Sequence, residues 1–172
     1  DYDIFLKTLK YKFNDKNYEA ADLIKIKIKK IEFYIDCGNP PPNNFAKYYQ
    51  AGCLSFELIS NKQKIICNSG YGKYLSPNLT ALSRSTAAHS TLYINDTSSS
   101  IFQKNNIINK VYGNSLIEKH KIIKKSYTED KNFYSVSASH NGYEKSFGYI
   151  HTRLVKISKN KNQIFGQDKL VR

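Results

Sequence analysis

Residues 23–36 read LIKIKIKKIEFYID, with Ile24, Ile26 and Ile28 alternating with Lys25, Lys27 and Lys29. Successive side chains of an extended chain point to opposite faces, so this alternation fits a strand with one buried and one wet face and does not fit an amphipathic helix. The reading is a half-buried strand over 23–36, its Lys face in solvent, stopped by Gly38-Asn39 and Pro40-Pro41-Pro42. Residues 53–59 and 63–68 flank Ser60-Asn61-Lys62 as a hairpin. Residues 91–95, 116–123, 132–138, 145–150 and 153–158 read as further short strands, and 163–166 as a return strand after a turn at 158–162. Helical periodicity is scarce. Residues 1–12 read as the tail of a helix, and 69–86, rich in Gly, Ser, Tyr and Asn, as a long loop of the kind that carries function on a β scaffold. Many short strands punctuated by turn signals predict an all-β fold, an antiparallel β-sandwich.

The formal net charge is +13 over 172 residues. Such a field attracts polyanions, whether nucleic acid or an acidic polysaccharide. Of the 27 basic residues only Arg84, Arg153 and Arg172 are Arg, and the Lys residues are spread along the chain. Forked recognition of bases and phosphates favours Arg. The balance therefore points to a solvated basic surface or an acidic polymer partner, and away from nucleic acid. No apolar run reaches the length of a membrane span. The chain holds no Met, so it is expected to be a piece of a longer one.

Three cysteines, Cys37, Cys53 and Cys67, cannot complete a disulfide framework. Cys53 and Cys67 lie in or beside apolar runs and read as small buried thiols. Four histidines remain. His120, within EKHKIIKK, reads as part of a solvated face. His89, in RSTAAHSTL, sits at a loop-to-strand junction beside an Arg, where a ring can ligate a metal or move a proton, or simply bond into a local turn. His140 and His151 bracket a hairpin or short excursion, with rings expected to bond to backbone across the sheet. No phosphate loop, no GxSxG, no HExxH, no zinc spacing of Cys and His and no nominable carboxylate pair is present.

Several segments, taken in order, carry a resemblance. They are Asn17-Tyr18-Glu19, Asp36-Cys37-Gly38-Asn39-Pro40-Pro41-Pro42, Ala51-Gly52-Cys53-Leu54-Ser55-Phe56-Glu57-Leu58 and Ile66-Cys67-Asn68-Ser69-Gly70. Thr86-Ala87-Ala88-His89-Ser90-Thr91-Leu92, His140-Asn141-Gly142-Tyr143, His151-Thr152-Arg153 and Gly166-Gln167-Asp168-Lys169-Leu170 follow. Together they resemble the C-terminal β-sheet part of the heparinase II/III-like polysaccharide lyase family. The resemblance implies that residues 1–16 join an upstream helical toroid, and that 17–172 form the β-sandwich domain and continue past the C-terminus. It implies β-elimination on a uronate-containing glycan such as a glycosaminoglycan, in a bacterial cell envelope or periplasm. The chemistry needs a neutralised carboxylate, a base for the C5 proton and an acid for the departing O4, and the family draws most of that from the toroid.

The family's sandwich also carries a His-x-His pair, an Asp and a late His. The first His faces substrate and the others can hold a structural zinc. In register with Leu54-Ser55-Phe56, Tyr48 takes the first His position, Gln50 the second and Asn68 the Asp position, while His89 is the retained late His. The resemblance thus nominates Tyr48 and His89 for catalysis. Zinc prefers imidazole, thiolate and carboxylate, so His89 with Gln50 and Asn68 is expected to be a hydrogen-bonded cluster at an altered metal site. Arg84, as carboxylate partner through its two-donor fork, Tyr143 and Arg153 are the candidate substrate contacts. Two alternatives stay open: a catalytically degenerate glycan-binding or envelope-structural domain, and a basic nucleic-acid-binding domain.

Overall fold

The alternation of 23–36 changes phase midway. The buried positions are Ile24 and Ile26, then Ile31, Phe33 and Ile35. A computed structural model, which describes residues 8–10, 17–72, 76–103 and 115–172, gives the reason. The segment is a hairpin of two strands, β2 (Leu23–Ile28) and β3 (Ile31–Asp36), paired as Ile28↔Ile31, Ile26↔Phe33 and Ile24↔Ile35. Lys29 makes the turn in the left-handed region, at φ 52°. A single strand over 23–36 is therefore corrected to two. The Lys face is also drier than expected, because Lys25 is buried with its ammonium 5.9 Å from the centre of the Tyr34 ring.

β1 (Tyr18–Ala20), β4 (Phe56–Ser60) and β5 (Gln63–Ile66) extend this hairpin into a five-stranded antiparallel sheet in chain order. The β4–β5 turn falls at Asn61-Lys62, both at positive φ, within the expected hairpin. A two-stranded ribbon follows, β6 (Ile101–Phe102) with β7 (Leu116–Glu118). The second large sheet is another meander in the order β11-β10-β9-β8, built from β8 (Ile122–Glu129), β9 (Phe133–Tyr143), β10 (Tyr149–Ser158) and β11 (Ile164–Val171).

Ile24, Ile26, Phe33 and Ile35 of one sheet share a core with Val136, Ala138, Val155 and Ile157 of the other, closed by Cys37, Cys53 and Leu54. This is the expected antiparallel sandwich, with side chains of two inner faces meeting.

Four more segments differ from expectation. Residues 116–123 are not one strand, because β7 ends at Glu118 and β8 begins at Ile122 in a different sheet. Residues 69–86 contain a helix, α1 (Pro77–Arg84), with Ser76 at its N-cap and Pro77 in its first turn. Residues 91–95 are not a strand. Side chains hold them, through Thr91 Oγ1 donating to the Cys53 carbonyl and Tyr143 donating to the Leu92 carbonyl, with one isolated bridge from Ile94 to Thr97. Residues 144–147 form a single helical turn ending at Gly148, at φ 72°, before β10. Of the expected helix over 1–12, only residues 8–10 lie among those described.

The inner face of β9 and β10 is not apolar throughout. The parity that buries Val136 and Ala138 also turns His140 inward, and the parity of Val155 and Ile157 does the same for Arg153 and His151. One end of the sandwich thus has a polar interior. The segment 85–103 lies over that end, and a Cβ on Gly142 would sit 2.4 Å from the Ser99 carbonyl oxygen.

Candidate functional site

The residues nominated for chemistry come from two adjoining pieces of chain. A 3-10 turn, Asn43–Tyr48, presents Tyr48 and leads to Gln50, and the Ala51 N–H then donates to the carbonyl of Arg84 at the end of α1. A second short turn, Thr86–Ala88, delivers His89. His89 Nδ1 lies 2.8 Å from the Ser85 carbonyl, an acceptor only, so Nδ1 carries the proton. Burial holds the ring's pKa below its ordinary value, against the bond to Ser85, which favours the cation. The neutral ring then has its lone pair at Nε2, which lies 3.0 Å from Gln50 Oε1. Two acceptors cannot bond each other, so the neutral ring requires the Gln50 amide to be turned end for end, with its NH2 donating to Nε2.

The ring sits so close to the backbone that a Cβ on Gly52 would lie 2.8 Å from its Cδ2. Asn68 engages the next residue rather than the ring. Its Oδ1 accepts from the Ser90 N–H at 2.9 Å and the Ser90 hydroxyl at 3.1 Å, and its Nδ2 donates to Ser55 Oγ at 3.4 Å.

Tyr48 is half-exposed and meets Tyr71 edge to face, ring centres 5.6 Å apart. Beyond Tyr71 a largely apolar groove of about 600 Å³ runs between α1 and residues 69–72, lined by Ser69, Tyr71, Leu79, Leu82 and Ala88 among others. The Ser69 N–H donates to the Ala88 carbonyl, which ties the groove's edge to the residue before His89.

The three candidate substrate contacts are all buried. Arg84 is 4% exposed, and its Nε and Nη2 donate to the carbonyls of Tyr49 and Ala46 at 2.8 and 3.0 Å, with the guanidinium over the Phe102 ring. It holds the turn that bears Tyr48 and presents no open fork to a carboxylate. Tyr143 is likewise buried, with its hydroxyl on the Leu92 carbonyl. Arg153 forks onto Asp168, Nε to Oδ1 and Nη2 to Oδ2, both at 2.8 Å. The three side chains expected as substrate contacts are thus engaged with carbonyls and a carboxylate of this domain.

The family model described as heparinase II/III-like, C-terminal, matches residues 11–172. The chain belongs to that family. Two solved structures are similar in fold. One is the crystal structure of a heparan sulfate lyase HepC mutant from Pedobacter heparinus, at TM-score 0.66 and 14% identity, covering 98% of this chain and 24% of that one. The other is the crystal structure of heparinase III, at TM-score 0.62 and 18% identity, covering 91% and 22%. The chain therefore spans about a quarter of the length of these relatives. No curated protein matches it in sequence.

The zinc that the resemblance implies for heparinase II/III-like relatives does not fit this donor set. The Asn68 oxygen already accepts two bonds from Ser90, His89 Nδ1 is committed to Ser85, and Gln50 brings a neutral amide. One imidazole and two amides are poor ligands for zinc.

This heparinase II/III-like sandwich also carries a polar cluster that the sequence reading missed. His120 is fully buried and not on a solvated face: Nε2 meets the Gly38 carbonyl at 3.1 Å and Nδ1 meets Ser100 Oγ at 2.9 Å. Its ring centre is 5.5 Å from that of His140. His140 Nε2 lies 3.0 Å from His151 Nδ1, and His151 Nε2 lies 2.7 Å from Asp168 Oδ1. The expected backbone partners across the sheet are thus replaced by ring-to-ring and ring-to-carboxylate bonds, legible only once β9, β10 and β11 are in register, and the backbone bond that His140 does make is local, from the Gly142 N–H to its Nδ1. The thiols show a smaller correction: Cys37 and Cys53 are buried, with burial pushing Cys37 up to about 12, but Cys67 is exposed.

Proposed function

We propose that the chain is the β-sandwich domain of a polysaccharide lyase acting on an acidic, uronate-containing glycan, with Tyr48, Gln50 and His89 facing the sugar. The observation that carries this reading is the half-exposed Tyr48, edge to face with Tyr71, on the wall that holds a neutral His89 of fixed tautomer. Aromatic rings offer apolar faces with a polar tip, suited to a sugar's C–H face and hydroxyls. The charge of +13 attracts the polyanion to this surface. We infer a setting in the cell envelope or periplasm from the resemblance alone.

In β-elimination the C5 proton passes to a base, its electron pair forms the C4–C5 double bond, the C4–O4 bond breaks and O4 takes a proton. Tyr48 is the group here that can donate or accept that proton, and Gln50 and His89 fix the wall beside it. The resemblance assigns the remaining base and carboxylate-neutralising groups to the helical toroid. A second reading, a glycan-binding domain without catalysis, is favoured by one observation: both ring nitrogens of His89 are already occupied.

Chemical-shift mapping tests the site. Heparan sulfate oligosaccharide is expected to move the signals of Tyr48, Tyr71 and His89, and neutral dextran to leave them in place. Signals that stay put while scattered Lys residues respond would sink the site. In the full-length protein, Tyr48→Phe is expected to lower release of unsaturated product at least about tenfold under the lyase reading. A full-length protein that binds heparan sulfate and releases no product supports the second reading.

A further inference from the structure

Asp168 lies on the last strand, outside the wall that bears His89, yet one side chain links them. The Arg153 guanidinium is nearly buried, and its fork to Asp168 leaves Nη1 pointing the other way. Nη1 donates two bonds of 2.7 Å, one to the Leu54 carbonyl and one to the Ser90 carbonyl. Ser90 follows His89 in the chain. Leu54 sits in the left-handed region, at φ 58°, in the tight turn from Gly52 to Ser55 whose backbone abuts the His89 ring. One nitrogen therefore clamps together the two segments between which the ring is held.

A guanidinium is planar, so fixing Nε and Nη2 fixes the direction of both Nη1 protons. The His151 Nε2 bond to Asp168 Oδ1 holds the carboxylate in turn. We propose that Asp168 is a positioning residue for the His89 wall, acting through Arg153. This deepens the reading of His89 as a glycan-facing residue and rests on that reading only for its effect on activity. The mechanical link stands on the bonds themselves.

The test reads the wall without glycan, so its failure is distinct from failure of the glycan site. The His89 Nδ1–H, bonded to Ser85, and the Ser90 N–H, bonded to Asn68, are exchangeable protons on the wall. In Asp168→Asn the carboxylate fork is lost, and both protons are expected to exchange at least about tenfold faster relative to the core amides of Val136 and Val155. A merely structural role would speed wall and core protons in step. Asp168→Glu, which keeps a carboxylate, is expected to recover most of the protection. Arg153→Lys supplies a second variant should Asp168→Asn fail to fold. A point charge cannot hold both the carboxylate and two carbonyls, so the same selective loss is expected with Asp168 intact. Wall protons that keep their protection relative to the core in the folded variants, or lose it only in step with the core, overturn the proposal.

Discussion

His140 donates through Nε2 to Nδ1 of His151, and the direction of that bond is forced. The Gly142 N–H, 3.0 Å from His140 Nδ1, occupies the lone pair there and leaves the ring proton on Nε2. His151 must then accept at Nδ1 and donate from Nε2 to Asp168. The rings are neutral members of a polar chain that ends on a carboxylate. A further proton on His140 would meet the Gly142 N–H head on. Burial first, then the repulsion that a proton there would meet from any charge on the adjoining His151 and His120 rings and from Arg153, press its pKa down to about 2.

Acid is expected to loosen this end of the sandwich first. Burial lowers His120 to about 4, against an ordinary value of 6.5. Both rings thus have a folded pKa below the unfolded one. Their contribution is complete above pH 6.5 and is lost as the pH falls from 6.5 toward 4 for His120, and on toward 2 for His140. The loss from His120 alone is about 3 kcal/mol across its window. Asp168 adds to it at lower pH. Burial raises its carboxyl, but the bonds from His151 and Arg153 outweigh that and hold it well below the usual range. Urea unfolding at pH 7, 5.5 and 4.5 measures the slope, and His120→Gln, uncharged throughout, is expected to flatten it.

Arg84 is expected to matter for stability and not for glycan contact. Arg84→Met removes the Nε donor from the Tyr49 carbonyl and leaves the Ala46 carbonyl only its bond from the Tyr49 N–H, and is expected to cost about 2–3 kcal/mol. Because Arg84 holds the turn that bears Tyr48, heparan sulfate binding is expected to weaken only in step with the loss of stability. Denaturant titration and binding isotherms on the same variant separate the two effects. A large affinity loss with unchanged stability would restore Arg84 as a carboxylate partner.

Two glycines in the second sheet should respond oppositely. Gly142→Ala places a Cβ against the Ser99 backbone and 3.0 Å from His140 Nδ1, so the backbone must move. A loss of about 3 kcal/mol or failure to fold is expected, in the range of overpacked sites. A Cβ at Gly166, within β11, meets no atom within 4 Å, and Gly166→Ala is expected to be neutral or slightly stabilising. Melting temperatures of the pair decide it.

Purified protein is expected to carry little zinc, and chelator to leave its melting temperature unchanged. Elemental analysis finding one zinc per chain would mean that Gln50 or Asn68 is not at the family's ligand position.

How far the sequence could be read depended on whether a feature was local. The phase change between Ile28 and Ile31 was a local sign of a hairpin, but Lys29-Lys30 lacks the Asn or Gly that usually marks such a turn, so one strand was the natural reading. Ser76-Pro77 was a helix start in plain view. The helix it opens is eight residues long and leaves Leu79 and Leu82 exposed, so it has little apolar periodicity to display. In the second meander β9, β10, the start of β11 and the turn at 158–162 were legible because alternation and turn residues coincide there, whereas β8, exposed along most of its length, shows no apolar alternation and was reached only at its first two residues. The pairing of Gln50 with His89 lay within the cluster that the resemblance implied, whereas Asn68 went to Ser90. His120 was misplaced, and the partners of Arg84 and Arg153 went unseen, for one reason: those partners are carbonyls, rings and the Asp168 carboxylate, all from segments distant in sequence. Charge predicts exposure only where no buried partner waits, and partners across strands are set by register.

Each large sheet is a continuous stretch of chain, 18–66 for one and 122–171 for the other, with strands paired in sequence order. A nick anywhere in 67–121 would leave every pairing within the two leaves intact, and the leaves recognise each other mainly through side chains of their inner faces. Two copies refolding at high concentration can therefore trade leaves, each completing the other's interior, without altering a single β-ladder of either meander.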